Sequence, residues 1–268
     1  MNKFKRKGAR SIKAISDEVL RQLHRGEIET ANLVEWLAVD QRILLQNLLH
    51  QQGRSKYFLT ILEAIDGLNK PTVNSVNEII GIGILEQTNI WNDCDFLHTI
   101  STHNSDVVRC WAAYAVGKNP AMQIDQKLEQ MMPFAADPHF GVREISWLAV
   151  RKDIIQNLDE SLRFLASFAT NEDENIRRFA SEATRPRGVW CEHIEVLKKN
   201  PALGLLILEP LKSDDSKYVQ NSVGNWLNDA SKSQPEFVQA LCKRWERESD
   251  TKQTRYITNK ALRTINKK

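Results

Sequence analysis

Glu144, Glu182 and Asp229 stand at related places in successive segments of this chain, and Arg178, Arg185, Arg187 and Lys232 lie close to the last two in sequence. Carboxylates grouped on one face can steady a developing positive charge or position a water. Arginine suits phosphate, because its planar fork donates two parallel hydrogen bonds. The most specific stretch is RRFASEATRPRGVW (177–190). Pro186 cannot comfortably continue a helix, which places Arg185, Arg187 and Trp190 at or beyond a helix end. Trp190 either offers an aromatic face to a cationic ring or packs against the following helix. The acids, likewise, either converge on one ligand or are surface acids paired with Arg178, Arg185 or Lys232.

The elements that must position these residues are repeats. HNSDVVRCWAAYAVG (103–117), DPHFGVREISWLAV (137–150) and NEDENIRRFASEATR (171–185) share an acidic or Asn-containing turn, a β-branched residue, an Arg and a small-residue helix. The Arg falls at Arg109, Arg143 and Arg177, two equal steps of 34 residues. KYVQNSVGNWLNDASK (217–232) and RYITNKALRTI (255–265) are looser copies. Units that cannot bury their own apolar face must stack on their neighbours. The signatures of tetratricopeptide and ankyrin repeats are absent, and the Asp-turn followed by Val-Arg is HEAT-like. The expectation is an all-α, right-handed α-solenoid with a concave face, forming one domain over 1–268: a helical cap over 1–70, then stacked repeats over 74–268.

Alignment on Val108, Val142, Ile176, Val219 and Ile257 makes the register explicit. Four and seven residues later come mainly small or apolar residues: Ala112, Ser146, Ala180, Val223 and Ala261, then Ala115, Ala149, Ala183, Trp226 and Thr264. That is the expected packed face. Positions two, six and ten later form another stripe, because residues four apart on a helix are neighbours. Glu144, Glu182 and Asp229 step along this second stripe, one turn further in each repeat. Trp111 and Trp147 are expected to be half-buried and Trp226 to be core. Helices are expected over 10–25, 29–51 (capped near Thr30), 56–69, 74–87 and 90–101, with outer helices at 125–136, 159–170, 190–211 (broken at Pro201) and 235–247.

With 41% hydrophobic and 26% charged residues in 268, the composition is that of a soluble globular protein and excludes disordered or fibrous classes. The basic N-terminus lacks the apolar run of a signal peptide, and no stretch approaches the roughly 18 apolar residues of a membrane span. A cytoplasmic protein with no membrane partner is expected. Cys94, Cys110, Cys191 and Cys242 are widely spaced and read as reduced and mostly buried; the six His are scattered, so no metal site is expected. The net charge of +3 is uneven. Lys3, Lys5, Arg6, Lys7, Arg10 and Lys13 crowd one end, and Lys252, Arg255, Lys260, Arg263, Lys267 and Lys268 the other, as solvated tails or as nucleic-acid contacts.

SEATRPR with Trp190 behind it, followed by SVGNWLNDASK (222–232), resembles the alkylpurine DNA glycosylases built from HEAT-like repeats, in particular the AlkC group, related to AlkD. ETANLVEWLAVD (29–40) is similar to the same group. The resemblance covers most of the chain and is strongest over 139–232. It implies a monomer that holds double-stranded DNA containing alkylated bases on a concave basic face, with no cofactor. The implied reaction is hydrolysis of the N-glycosidic bond of a cationic N-methylated base: 3-methyladenine, 3-methylcytosine or 1-methyladenine. Such a base leaves readily, so the remaining work is to stabilise an oxocarbenium-like sugar and deliver water.

The resemblance assigns that work to Asp229 and Glu182, with Glu144 supporting or recognising the base and Trp190 against the lesion nucleotide. Arg143, Arg178, Arg185, Arg187 and Lys232 are the implied DNA contacts. Replacing Arg185 is therefore expected to cost affinity but little stability. Gly188-Val189 stands where the family usually has Leu-Pro, and Trp226 where Asn is common. Many members carry a C-terminal immunoglobulin-like domain, and none is expected here. The competing reading is a non-catalytic HEAT-like module that binds damaged or branched DNA, or a protein partner.

Overall fold

The computed structural model describes residues 6–188 and 191–267. Among them are sixteen α-helices, three short 3-10 turns and no strand, so the chain is all-helical. The first seven helices are α1 (Asp17–His24), α2 (Leu33–Ala38), α3 (Gln41–Gln51), α4 (Phe58–Asp66), α5 (Val73–Trp91), α6 (Cys94–Ser101) and α7 (Asp106–Gly117). The rest are α8 (Ile124–Ala135), α9 (Phe140–Gln156), α10 (Leu158–Phe168), α11 (Glu174–Ala183), α12 (Glu195–Lys199), α13 (Leu205–Leu208), α14 (Lys217–Ser231), α15 (Pro235–Glu248) and α16 (Lys252–Leu262). Packing gathers them into two compact units, Met1–Ala121 with His139–Ala149, and Met122–Pro138 with Val150–Lys268.

The packed register of the inner helices α7, α9, α11, α14 and α16 is the one the repeats predict. Val108, Val142, Val219 and Ile257 are wholly buried, as are Ser146, Ala180, Val223 and Ala261. Trp226 is core, as expected, whereas Trp111 and Trp147 lie deeper than the half-burial expected of them. The fully buried Trp111 indole donates to Gln41 Oε1 at 3.1 Å.

The repeated turn has a common hydrogen-bond plan. His103, Asn171 and Asp214, each six residues before the Arg or its counterpart, accept from the N–H two residues on, at 3.1, 2.9 and 2.8 Å. The Arg then staples that turn from the helix: Arg109 donates to His103 O and Asn104 O, and Arg177 to Asn171 O and Glu172 O. In the looser fourth copy Gln220 performs the same task on Asp214 O. At Arg109 and Arg177 the recurring Arg is therefore a turn staple; Arg143 is their counterpart in the sequence register.

Several expected boundaries move, for local reasons. The stretch 29–51 is two helices rather than one, because Asp40 is extended and its side chain accepts from Arg42 N and Ile43 N, starting a new helix. Asn32, not Thr30, caps α2, its Oδ1 accepting from Glu35 N. Residues 10–25 form a 3-10 turn and then α1, capped by Ser16. α5 runs through the expected break at 88–89 and stops only at Asn92, in the left-handed region with φ 51°. The segment expected over 190–211 is interrupted at Pro201 as expected, but its helical parts are shorter: α12, a 3-10 turn that begins at Pro201, and α13. Of the four cysteines, Cys110 and Cys242 are buried, while Cys94 is exposed and Cys191 partly so. Among the described residues no helix is long and apolar enough to cross a membrane.

Candidate active site

In the second unit α11 and α14 lie side by side and carry Glu182 and Asp229 on facing turns. α11 starts at the Asp173 cap, and its last residue is Ala183. Thr184 turns back to donate to Ala180 O at 3.0 Å, and Pro186 prevents another turn. α14 starts at the Ser216 cap and runs to Ser231. Trp226 locks the two helices at this level: its indole N–H donates to Thr184 O at 3.0 Å. The ring also needs Gly204 opposite it, where an added Cβ would stand 2.4 Å from the indole.

Arg185 joins the two acids. Its Nη1 donates to Glu182 Oε1 at 2.8 Å, and its Nε and Nη2 donate to Asp229 Oδ2 at 2.9 and 2.7 Å. The other oxygens are also occupied. Ser222 donates to Glu182 Oε2 at 2.7 Å, backed by Ser181, and Lys232 donates to Asp229 Oδ1 at 3.0 Å. Arg178 lies 3.8 Å from Glu182 Oε2, with its guanidinium over the Tyr218 ring at 4.4 Å. Both acids are buried, with side chains 7% and 4% exposed, while Lys232 is 42% exposed. Burial pushes the Glu182 carboxyl up, but Arg178, Arg185 and the Ser222 hydroxyl outweigh it and hold the group below its ordinary value.

The residues singled out from sequence thus divide. Glu182, Asp229, Arg178, Arg185 and Lys232 form one network in the second unit. Here the acids meet the pairing alternative with Arg178, Arg185 and Lys232, yet they are buried rather than surface acids. Arg187 is directed to Ser233 Oγ at 2.6 Å, and its Nε is buried with no hydrogen-bond partner among the described residues. Glu144 and Arg143 belong to the first unit, Glu144 half-buried on α9. Trp190 lies outside the described residues, as do Lys3, Lys5 and Lys268. Among the described residues no group of three or more His, Cys, Asp or Glu is arranged to hold a metal ion.

Sequence reasoning passed over Ser222, Tyr218 and Arg151. Arg151 had a signal: it stands nine residues after Val142, as Arg185 does after Ile176, again a step of 34. On the basic C-terminal helix α16, Tyr256 donates to Asn221 Oδ1 at 2.8 Å under the Lys217 ammonium, 2.7 Å from its ring centre. Arg263 reaches Asn225 Oδ1 at 2.9 Å. The stripe residues Asn221 and Asn225 are thus bound to α16.

No family model matches the chain. Over 123 residues it is 37% identical to the uncharacterized protein YhaZ of Bacillus subtilis (strain 168), a match covering 46% of this chain and 34% of that protein. Among solved structures, it is similar to Pseudomonas fluorescens alkylpurine DNA glycosylase AlkC bound to DNA containing an abasic site analog. That likeness has a TM-score of 0.60 at 23% identity over 82% of this chain and 63% of that one. The crystal structure of smu.31 from Streptococcus mutans UA159 is also similar, with a TM-score of 0.55 at 20% identity over 83% of this chain and 98% of that one. The chain thus spans about a third of the curated relative and 63% of the AlkC chain. The shared feature is the fold, a helical-repeat architecture of the AlkC kind.

Proposed function

We propose that this chain is a DNA repair glycosylase that hydrolyses the N-glycosidic bond of a cationic N-methylated base, 3-methyladenine, 3-methylcytosine or 1-methyladenine. The observation that carries the reading is the pair of buried carboxylates, Glu182 and Asp229, held by arginines on adjacent inner helices of a fold shared with a glycosylase. A carboxylate kept ionised in a water-poor site interacts strongly with a sugar that gains positive charge as the base departs. Glu182 is such a group. Asp229 is its partner, through the Arg185 they share, and either acid can orient the attacking water. Trp190 is assigned to the lesion nucleotide. The exposed Lys232, with Arg187, is the first choice for phosphate contact. Arg178 and Arg185 act mainly through the acids they hold.

One observation favours the alternative, a binding module without chemistry: every oxygen of the two acids already has a donor. The test is product analysis. The purified chain is incubated with methylated duplex DNA, and free methylated base is sought without added metal or nucleotide. Tight, lesion-dependent binding with no free base across several lesions selects the binding module.

A further inference from the structure

We propose that Arg151, on the second half of α9, is a positioning residue of the Glu182–Arg185–Asp229 site, fixing the end of α11 so that Arg185 is held between the two acids. The proposal rests on the glycosylase reading for the reaction it serves.

Arg151 is 3% exposed, a depth that arginine seldom reaches without a carboxylate partner. Among the described residues its hydrogen-bond partners are main-chain carbonyls alone. Nη1 donates to Ala183 O at 2.8 Å; Nη2 donates to Arg185 O at 2.7 Å and Glu192 O at 3.0 Å; Nε adds a second bond to Glu192 O at 3.2 Å. Ala183 is the last residue of α11, where carbonyls lack intrahelical donors and the helix dipole favours a cation. One planar fork therefore binds the helix end and the main chain of Arg185 and of Glu192. Ile194 N donates to Pro186 O at 3.0 Å.

The side chain held in place this way matters for the acids. Arg185 supplies three hydrogen bonds to Glu182 and Asp229, and its direction follows from the main chain that Arg151 grips. Burial lowers the Arg151 guanidinium from its ordinary value; Cys191, and after it Glu182 and Asp229, favour the charged form, while Arg185 opposes it. The interaction with the two acids is mutual and favours their ionised forms. Gly188 belongs to the bracket: its Cα is placed so that an added Cβ would meet Cys191 Sγ at 2.0 Å and lie 3.6 Å from Arg151 Nη2.

The experiment compares wild-type protein, Arg151→Gln and Arg151→Lys in the full chain. It follows the Glu182 carboxyl by 13C NMR titration, assigned with Glu182→Gln, and the kcat and KM for base release at matched folded fraction. Arg151→Gln removes charge and bracket: the Glu182 titration moves to higher pH, and kcat falls at least about tenfold with KM within about twofold. Arg151→Lys keeps the charge but cannot reach all three carbonyls: the Glu182 titration stays close to wild type while kcat still falls. Should Arg151→Gln fail to fold, the lysine variant decides, because wild-type kcat there overturns the proposal. An unchanged titration and kcat in Arg151→Gln also overturn it. The titration reads Arg151 even in a protein that releases no base. Absence of release by wild type therefore defeats the glycosylase reading, while a shifted Glu182 still supports the positioning role.

Discussion

Asp106 in the first unit and Glu182 in the second are both buried carboxylates on inner helices, yet their proton affinities move in opposite directions. Asp106, fully buried at the start of α7, accepts from Thr30 N at 2.9 Å and Thr30 Oγ1 at 2.8 Å, and lies 3.2 Å from His139 Nδ1. Burial is the largest influence on it and raises its carboxyl above the ordinary value, despite His139, Thr30 and Arg109. At Glu182 burial acts in the same direction, but Arg178 and Arg185 prevail and the carboxyl is lowered. Depth alone does not set the charge. Arg109 is occupied with turn carbonyls and Glu29, whereas Arg185 is directed at Glu182 itself. The Thr30–His139–Asp106 grouping resembles a hydrolytic triad in residue types only. Thr30 is 3% exposed and shares its hydroxyl with the Asp, so the cluster ties chain segments together rather than meeting a substrate.

The largest expected effect follows from removing the cation that separates the two cases. Arg185→Ala leaves Glu182 and Asp229 buried without their shared partner, a loss of about 3–5 kcal/mol by urea unfolding at neutral pH. From sequence alone, the same substitution is expected to cost little stability; the two ion pairs reverse that expectation. A loss below about 1 kcal/mol, the range of surface pairs, would mean that the bridge is not formed in solution.

Next in size is the Asp106 cluster. Asp106→Ala strands the buried Thr30 donors and costs about 1–3 kcal/mol, whereas Asp106→Asn keeps an acceptor for Thr30 N and costs less. Equal losses for the two variants would show that the charge itself is needed there.

A third test uses pH. The folded-state carboxyl of Glu182 lies below its unfolded value, so its contribution is complete above the ordinary value of 4.5 and is lost as pH falls through the lower folded value. Asp106 has the reverse sign: its contribution is present below the ordinary 3.8 and is lost as pH rises through the raised folded value. In unfolding measured from acid to neutral pH, Glu182→Gln flattens the acid side and Asp106→Asn flattens the decline above it. Swapped behaviour would invert the comparison.

The smallest effect concerns phosphate contact. Arg187→Ala flattens the log-log dependence of DNA affinity on salt by about 0.9, with similar weakening on damaged and undamaged duplexes. An unchanged slope with a much lower melting temperature would make Arg187 a structural partner of Ser233.

The inner-helix register was legible because small and β-branched residues recur at helical spacing, and burial at Val108, Val142, Val219 and Ile257 follows it. The stripe that links Glu182 with Asp229 was legible for the same reason. What sequence spacing cannot supply is long-range pairing. Thr30, read as a local helix cap, binds Asp106 76 residues away, and Arg185, read as a phosphate donor, turns inward to Asp229 44 residues away. The break at Asp40 was missed because Leu37, Ile43 and Leu44 keep an approximate helical phase across it. Arg151 was missed because a long cation is ordinarily exposed, and only the carbonyl ends of another helix make its burial tolerable.

Under the proposed function, Glu182 and Asp229 perform chemistry rather than only hold α11 to α14. Its most direct test is single-turnover release of free base from methylated duplex DNA, with binding measured in parallel, for wild type and Asp229→Asn. Release by wild type is expected, with the rate lowered on the order of 100-fold in Asp229→Asn and DNA affinity unchanged or slightly improved. Wild-type binding with no free base, or parallel losses of binding and rate in Asp229→Asn, would contradict it.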